Sequence, residues 1–302
     1  MAIQLRWLEN RSASCFHAVA AILRGHGLSD LLLGDALAEG SEALRVELKC
    51  AGVDVNLFLA HLVSLSVQIG SNTELARIAL KKTSGNRATR KQIEPLRGAL
   101  FDLEAAFDRA LPQLEEELAL RRGPLEAQWD ARGPGMLSVI RRLTDESFIA
   151  EEAEVILVHP ASGGAGEAHI LYNSVRIEAL LANPLAELPE VVRLGWLLAQ
   201  LNLELPRYSE VLGNRQIAAL GPCAMIPIAL AAAGEVELAR LDKATIRMAL
   251  EAWHAVPSGV PNMEGVLWQW WQVYRDTRPP LATALKALGE MVTAAAHEAQ
   301  GS

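Results

Sequence analysis

Cysteine is scarce in this chain and badly spaced for chemistry. Only Cys15, Cys50 and Cys223 occur. The number is odd and no pair stands as CxxC, so neither a disulfide framework nor a zinc knuckle can be read, and a reducing, cytoplasmic setting is the expectation. The first residues, MAIQLRWLENRSAS, lack the apolar core of a signal peptide. A plain membrane span is also missing. The longest uncharged run, Gln216 to Gly234, is broken by Gly221, Pro222 and Pro227, and a kinked, buried helix is expected there. No repeat of fixed period and no low-complexity tract is present. Nor is there a basic excess: residues 1–122 carry 15 basic and 15 acidic groups, residues 123–302 carry 13 and 21, and the net charge is −8. Duplex DNA, which rewards a basic face through counterion release, is therefore a disfavoured partner.

What the chain does hold is apolar helix-forming material. Of 302 residues, 51% are hydrophobic, enough for a large core. Ala, Leu and Glu dominate while strand formers are sparse, which points to a predominantly helical α+β fold with a small, mostly antiparallel sheet near residues 155–180. Gly123-Pro124 and Gly133-Pro134-Gly135 suggest a soft boundary between a helical N-terminal region, 1–122, and an α+β core with a helical C-terminal part, 123–302. Ser12 or Ser14 is expected to cap the first long helix, Pro112 to kink a long striped helix running from about Arg87 to Arg122 or split it in two, and Asp242 to cap a later one.

The centre of the chain is Val155 to Pro206. Val155 to Val158 and His169 to Tyr172 read as two strands joined through SGGAG, with His159 and His169 flanking the turn. Two imidazoles and Glu167 form the beginning of a zinc site, against which stands the plainer reading of ordinary strand-end histidines. SGGAG has backbone amides that could hold an anion, but it lacks the Lys and Ser/Thr of GxxxxGK[ST] and reads first as a turn. Leu188 to Leu205 is a helix apolar almost all round, its only polar side chains between Val191 and Leu201 being Arg193 and Gln200, so other elements must surround it.

A strand, a hairpin, the segment YNSVRIEALLANP and an apolar helix opened by LPEVVRL resemble the core of zincin-type metallopeptidases, in which an edge strand precedes the active-site helix. That helix carries HExxH, two zinc-binding histidines and a glutamate that activates water. The matching window here is Trp196-Leu197-Leu198-Ala199-Gln200, with neither ligand nor base. The resemblance spans about fifty residues and implies a zincin-like scaffold without peptidase chemistry, a pseudoenzyme. Cys15, in SASCFHAVAAILRGHG, stands near a helix start and looks like the nucleophile of papain-like cysteine peptidases, which would imply His169 or His61 as its base; the alternative is a buried, inert thiol.

Two further clusters bear on partners. Arg77 to Arg97 holds seven basic residues and one acid, with Lys81, Lys82, Arg87, Arg90 and Lys91 at the turn of a helical hairpin and no aromatic ring for base stacking. Trp268, Trp270, Trp271 and Tyr274 crowd one helix; they suit an interface anchor or a core knot. The expectation is a non-catalytic interaction or scaffold protein with a protein partner or a second copy of itself, without cofactor and without a membrane span. The alternative is a hydrolase using His159, His169 and Glu167 on zinc, or Cys15.

Overall fold

The structure is a computed structural model, and it describes residues 3–85, 88–256 and 260–300. Strand β1 (Gln4–Glu9) is followed by helices α1 (Arg11–Leu23), α2 (Leu31–Cys50), α3 (Val55–Ser66), α4 (Asn72–Ser84), α5 (Arg90–Ala110) and α6 (Leu114–Leu143). The rest of the sheet comes next, as β2 (Glu152–Val158), β3 (Gly166–His169), a 3-10 turn (Ile170–Tyr172) and β4 (Ser174–Glu178). Helices α7 (Glu190–Leu198), α8 (Pro206–Leu212), α9 (Asn214–Glu235), α10 (Lys243–Ala252), α11 (Met263–Thr277) and α12 (Leu281–Gln300) complete the chain. The class is predominantly helical α+β, as expected.

Local chemistry sets most boundaries. The cap of α1 is Asn10, whose Oδ1 accepts from Ala13 N at 2.7 Å. Ser14, one of the residues expected in that role, instead bonds Asn10 O through its hydroxyl and accepts from His159 N at 3.1 Å, tying α1 to the end of β2. Asp242 caps α10 by accepting from Thr245 N at 2.8 Å. Pro112 lies between α5 and α6, which it separates by removing a backbone donor.

The sheet is mixed rather than mostly antiparallel. Its order is β1-β2-β4-β3; β1 and β4 run parallel to β2, and only β3 and β4 are antiparallel. The hairpin expected between residues 155–158 and 169–172 is displaced. β3 and β4 form it; His169 ends β3, and Ile170 to Tyr172 make its tip. Asn173, in the left-handed region at φ 47°, closes the tip, and its Nδ2 donates to Glu152 O at 2.6 Å. A local pattern cannot reveal that β1 comes back from the far N-terminus to pair with β2.

Helix α1 packs against β2 and α3, and α7 lies on β3 and β4 while crossing α6 and α9. At the α6–α7 crossing a Cβ on Gly195 would stand 1.6 Å from Met136 Cε, so a larger residue there would require the flexible end of Met136 to move. α6 runs unbroken through 123–124 and 133–135, which puts the expected boundary inside a helix. One hydrophobic cluster reaches from Ala13 to Leu288. Within α9, the segment Gln216–Glu235 is long and apolar enough to cross a membrane by length and composition, and the bent α2–α3 pair also passes that test if taken as one span. Nearly three quarters of the α9 window, 72%, is buried against the rest of the protein.

Candidate functional site: a buried polar layer and its cleft

The site grows out of one strand. In β4, SVRIE, side chains alternate between the two faces, so Val175 and Ile177 share one while Ser174, Arg176 and Glu178 share the other. Such a strand usually shows its polar face to water. Here all five residues are buried, so each charge must find partners inside the protein.

Glu178 is satisfied almost completely. Its Oε1 accepts from Ala161 N (2.9 Å), Ser162 N (2.7 Å) and His17 Nε2 (2.7 Å), and its Oε2 from Gly164 N (2.5 Å) and Ala165 N (3.0 Å). The glycine-rich loop does cradle an anion, and that anion is the protein's own carboxylate. Gly164, at φ 128° and with Arg193 Nη1 2.9 Å from where a Cβ would stand, has no room for a side chain. Burial opposes the charge on Glu178, but the His17 bond and the loop amides prevail and hold its pKa at about 2. An ionised carboxylate only accepts, so His17 donates from Nε2 and keeps a lone pair on Nδ1. Burial, reinforced by Arg176 and opposed by Glu178, lowers the His17 pKa and keeps the ring neutral.

Opposite Arg176 in the β3–β4 register stands Glu167. Its Oε2 accepts from Arg176 Nη2 at 2.7 Å and from Arg24 Nη1, off the end of α1, at 3.3 Å. Burial works against that carboxylate, yet Arg176, His169 and Arg24 hold it well below the usual range. His169 is pushed down to about 4, chiefly by burial and against the pull of Glu167. From α7, Glu190 and Arg193 approach to 3.4 Å, both almost wholly buried. Burial raises Glu190 to about 7 in spite of Arg193, so this carboxyl is close to half protonated at neutral pH.

A cleft of about 200 Å³ opens from this layer, and its lining includes His17, Arg24, Glu167, Arg176, Trp253 and His254. His26 and His254, edge to face with ring centroids 5.3 Å apart, stand exposed at its mouth. His254 is itself unusual. It occupies the left-handed position after α10, φ 52°, in a closing motif where its N–H bonds Glu251 O and Ala255 N–H bonds Leu250 O. Glycine is the usual occupant of that position.

The residues singled out in the sequence fare differently. His159 follows Val158, which is in register with Glu178, while His169 is in register with Ser174. The two histidines thus flank opposite ends of β4, roughly 16 Å apart along a strand rising about 3.3 Å per residue. Glu167 belongs with Arg176 rather than with His159. Among the described residues no group of three or more His, Cys, Asp or Glu is arranged to hold a metal ion. Cys15 is wholly buried, and burial, aided by Glu104 and Asp108, pushes its thiol well up, away from the nucleophilic thiolate. His61 is engaged elsewhere, its Nδ1 2.8 Å from Tyr172 Oη.

The Trp cluster is mainly core. Trp270 stacks on Tyr274 (5.3 Å) and donates to Ala284 O, Tyr274 donates to Leu143 O, Trp271 is buried, and only Trp268 is half-buried. Lys81, Lys82, Arg90 and Lys91 are exposed at the α4–α5 turn, and Arg87 lies outside the described residues. Lys82 Nζ stands 5.2 Å from the centroid of the Tyr172 ring. Arg24, Arg176, Glu178, Glu190 and Trp253 were invisible as a site in the sequence; the one available signal was the alternation of SVRIE beside a helix whose few polar side chains include Arg193. No protein-family model, curated protein or solved structure matches this chain.

Proposed function

We propose that this chain is a non-catalytic interaction protein that docks an acidic protein surface on the basic end of its α4–α5 hairpin. The observation that carries the reading is the state of that end: Lys81, Lys82, Arg90 and Lys91 are all exposed, and neither Lys81 nor Lys91 has a carboxylate partner among the described residues. Arg90 meets Glu94 only at 3.9 Å, with Arg90 92% exposed. Lys82 lies over the ring of Tyr172, whose chain neighbour Leu171 is 65% exposed, and apolar surface next to positive charge suits a protein contact more than a nucleic acid. The state of Cys15, buried with its thiol pushed up, supports the non-catalytic side of the reading. The zincin-like scaffold belongs to the same proposal, supported by an antiparallel edge strand, β3, followed by a helix, α7, laid across β3 and β4.

The test is affinity capture of the tagged chain from its native host, beside a Lys81→Glu/Lys82→Glu/Lys91→Glu variant. A stoichiometric partner held by the parent chain at low salt, released at moderate salt and absent from the variant, is the expected result. A partner kept equally by both chains would remove the tip from the reading. Concentration-dependent self-association abolished by the same variant would replace the acidic partner by a second copy, through its acid-rich residues 123–302.

A further inference from the structure

The end of the molecule that carries the basic tip carries its opposite as well. A trough of about 1140 Å³ opens where α6 gives way to β2, and four exposed glutamates, Glu146, Glu151, Glu152 and Glu204, line it together with a single guanidinium, Arg141. Four carboxylates less one guanidinium leave a surplus of three negative charges. None of the four makes an ion pair among the described residues; the neighbouring charges that do pair, Arg6 with Glu154, Arg142 with Glu235 and Arg207 with Asp145, add nothing to either sign. A metal ion would relieve such a surplus, but among the described residues no three His, Cys, Asp or Glu are grouped to hold one. The charge is spread along the lining, which suits several cations spaced over a protein surface. The buried apolar side chains of Ile149 and Leu201 belong to the same lining, and apolar surface bordered by charge is the make-up of protein contacts.

Trough and tip meet on one short stretch of chain. Ile170 lines the trough, Tyr172 lies under Lys82, and Leu171 between them is 65% exposed. Asn173, also on the trough, ties this hairpin tip to Glu152 O at 2.6 Å. Positive tip, exposed leucine and negative trough therefore follow one another along one side of the molecule. That order is self-complementary. A two-fold axis beside Leu171 sets the tip of each copy on the trough of the other and brings the two leucines together, the isologous contact from which closed dimers are made. Within one chain no ion pair joins the two patches among the described residues; a second copy supplies cations to one and carboxylates to the other at once.

We infer that the acidic surface docked by the basic tip is the trough of a second copy of this chain, in a two-fold pair held by two tip-to-trough contacts around Leu171. This rests on the docking role proposed for the tip and gives that role its partner. In capture from the native host, the stoichiometric partner is then the untagged native copy.

Sedimentation velocity of the full chain needs no variant. A monomer–dimer equilibrium in the micromolar range is expected at about 50 mM salt, weakened by about tenfold or more at about 500 mM as exposed charges are screened. Glu146→Lys/Glu151→Lys/Glu204→Lys and Lys81→Glu/Lys82→Glu/Lys91→Glu are each expected to weaken pairing by about a hundredfold, since like charges then face each other at both contacts. Mixed in equal amounts, the two reversed chains are expected to pair with one another at close to the parent's affinity, because each tip again meets a trough of opposite sign. Recovery on mixing also shows that both variants fold; if either triple variant unfolds early in denaturant, Glu151→Lys and Lys82→Glu alone repeat the exchange with smaller losses. A parent chain that stays monomeric up to its highest soluble concentration overturns the inference. So does association that runs on beyond the dimer, or a failure of folded reversed chains to recover on mixing. A monomeric parent that still captures a host partner lost by the tip variant removes the second copy and leaves the tip its docking role; a dimer and a captured partner both untouched by reversing the tip remove that role as well.

Discussion

The buried layer and the basic tip are made of the same residue types and behave as opposites. At the tip, Arg97 and Arg90 approach Glu94 at 3.1 and 3.9 Å, with Glu94 45% exposed, and such pairs are worth about 0–1 kcal/mol and fade with salt. In the layer, Arg176 meets Glu167 at 2.7 Å with its side chain 4% exposed, and Glu178 has five donors and no access to water. A buried pair adds little net stability over a well-packed apolar replacement, but breaking one leaves an uncompensated charge. The layer therefore fixes how α1, α7 and the loop meet the sheet. The tip is free to be spent on something outside the protein.

The sharpest way to break this contrast is to remove the anchor. Glu178→Ala leaves four backbone amides and His17 without their acceptor, and a loss of about 3–5 kcal/mol is expected in denaturant unfolding, the usual cost of stripping one member from a buried charged network. A loss below about 1 kcal/mol, the size expected at an exposed site, would place the layer and the tip in one class.

Acid should tell the same story in two stages. His17 and His169 are depressed in the fold, His169 to about 4, from an ordinary value near 6.5. Below pH 6.5 the unfolded chain takes protons that these buried rings refuse, so stability falls as pH drops through that window. Glu190, raised to about 7, acts the other way between about 4.5 and 7, since there the folded state holds the extra proton. His61, His159 and His254 are lowered too, chiefly by burial, so five histidines outweigh one carboxyl and the net slope is downward toward acid. Below about 4.5 Glu178, depressed to about 2, adds its own loss as it nears protonation. Urea midpoints from pH 8 to pH 3 would show a shallow limb and then a steep one; a flat profile from 7 to 5 would mean that these histidines are not held as neutral rings.

These effects mark where the sequence was legible. Several helices announced themselves through spacing, Asp242 and Pro112 through their local chemistry, and the burial of the α7 segment through its lack of polar side chains; the continuity of α6 through Gly133-Pro134-Gly135 and the end of α7 at Leu198 did not. The site did not. Glu178 and the SGGAG amides are separate in sequence and meet only because β2 and β4 run parallel, with β3 folded back between them in the chain. Arg176 and Glu167 pair because the hairpin is β3–β4, one strand further along the chain than the one SGGAG suggested. His159 and His169, near in sequence, are parted by the length of β4. Strand alternation says which residues share a face but not whether that face meets water, and α1 and α7 decide that.

Smaller effects sharpen the comparison from inside the layer. Glu190→Gln removes a carboxyl that above pH 7 must ionise in a buried place, and the variant should be more stable than the parent by about 1 kcal/mol at pH 8, with the difference shrinking toward pH 6 as the parent carboxyl takes up its proton. Thermal unfolding at the two pH values reads it. A destabilised variant at pH 8 would show that the 3.4 Å contact with Arg193 outweighs the cost of burial. His254→Gly should gain up to about 1 kcal/mol by relieving the left-handed backbone at φ 52°, and a loss would mean that its ring packing against His26 matters more than its backbone.

The least effect on stability is expected at the tip, where it is also the most informative. Lys81→Glu/Lys82→Glu/Lys91→Glu changes three exposed side chains, and away from packed or capped positions such changes stay within about 0.5 kcal/mol each. Lys82 is the one with something to lose, since its ammonium lies over the Tyr172 ring, a contact worth about 0.5–1 kcal/mol at an exposed site. The triple variant should therefore unfold close to the parent in denaturant, with Lys82→Glu accounting for most of any difference. If instead it unfolds early, the charges are part of the fold, because Tyr172 also contacts His61 on α3 through its hydroxyl and closes the sheet hairpin. The tip would then resemble the layer, charge retained for architecture. If the variant is as stable as the parent and yet loses its partner, the two regions divide the work: charge inside to set the fold, charge outside to meet another molecule.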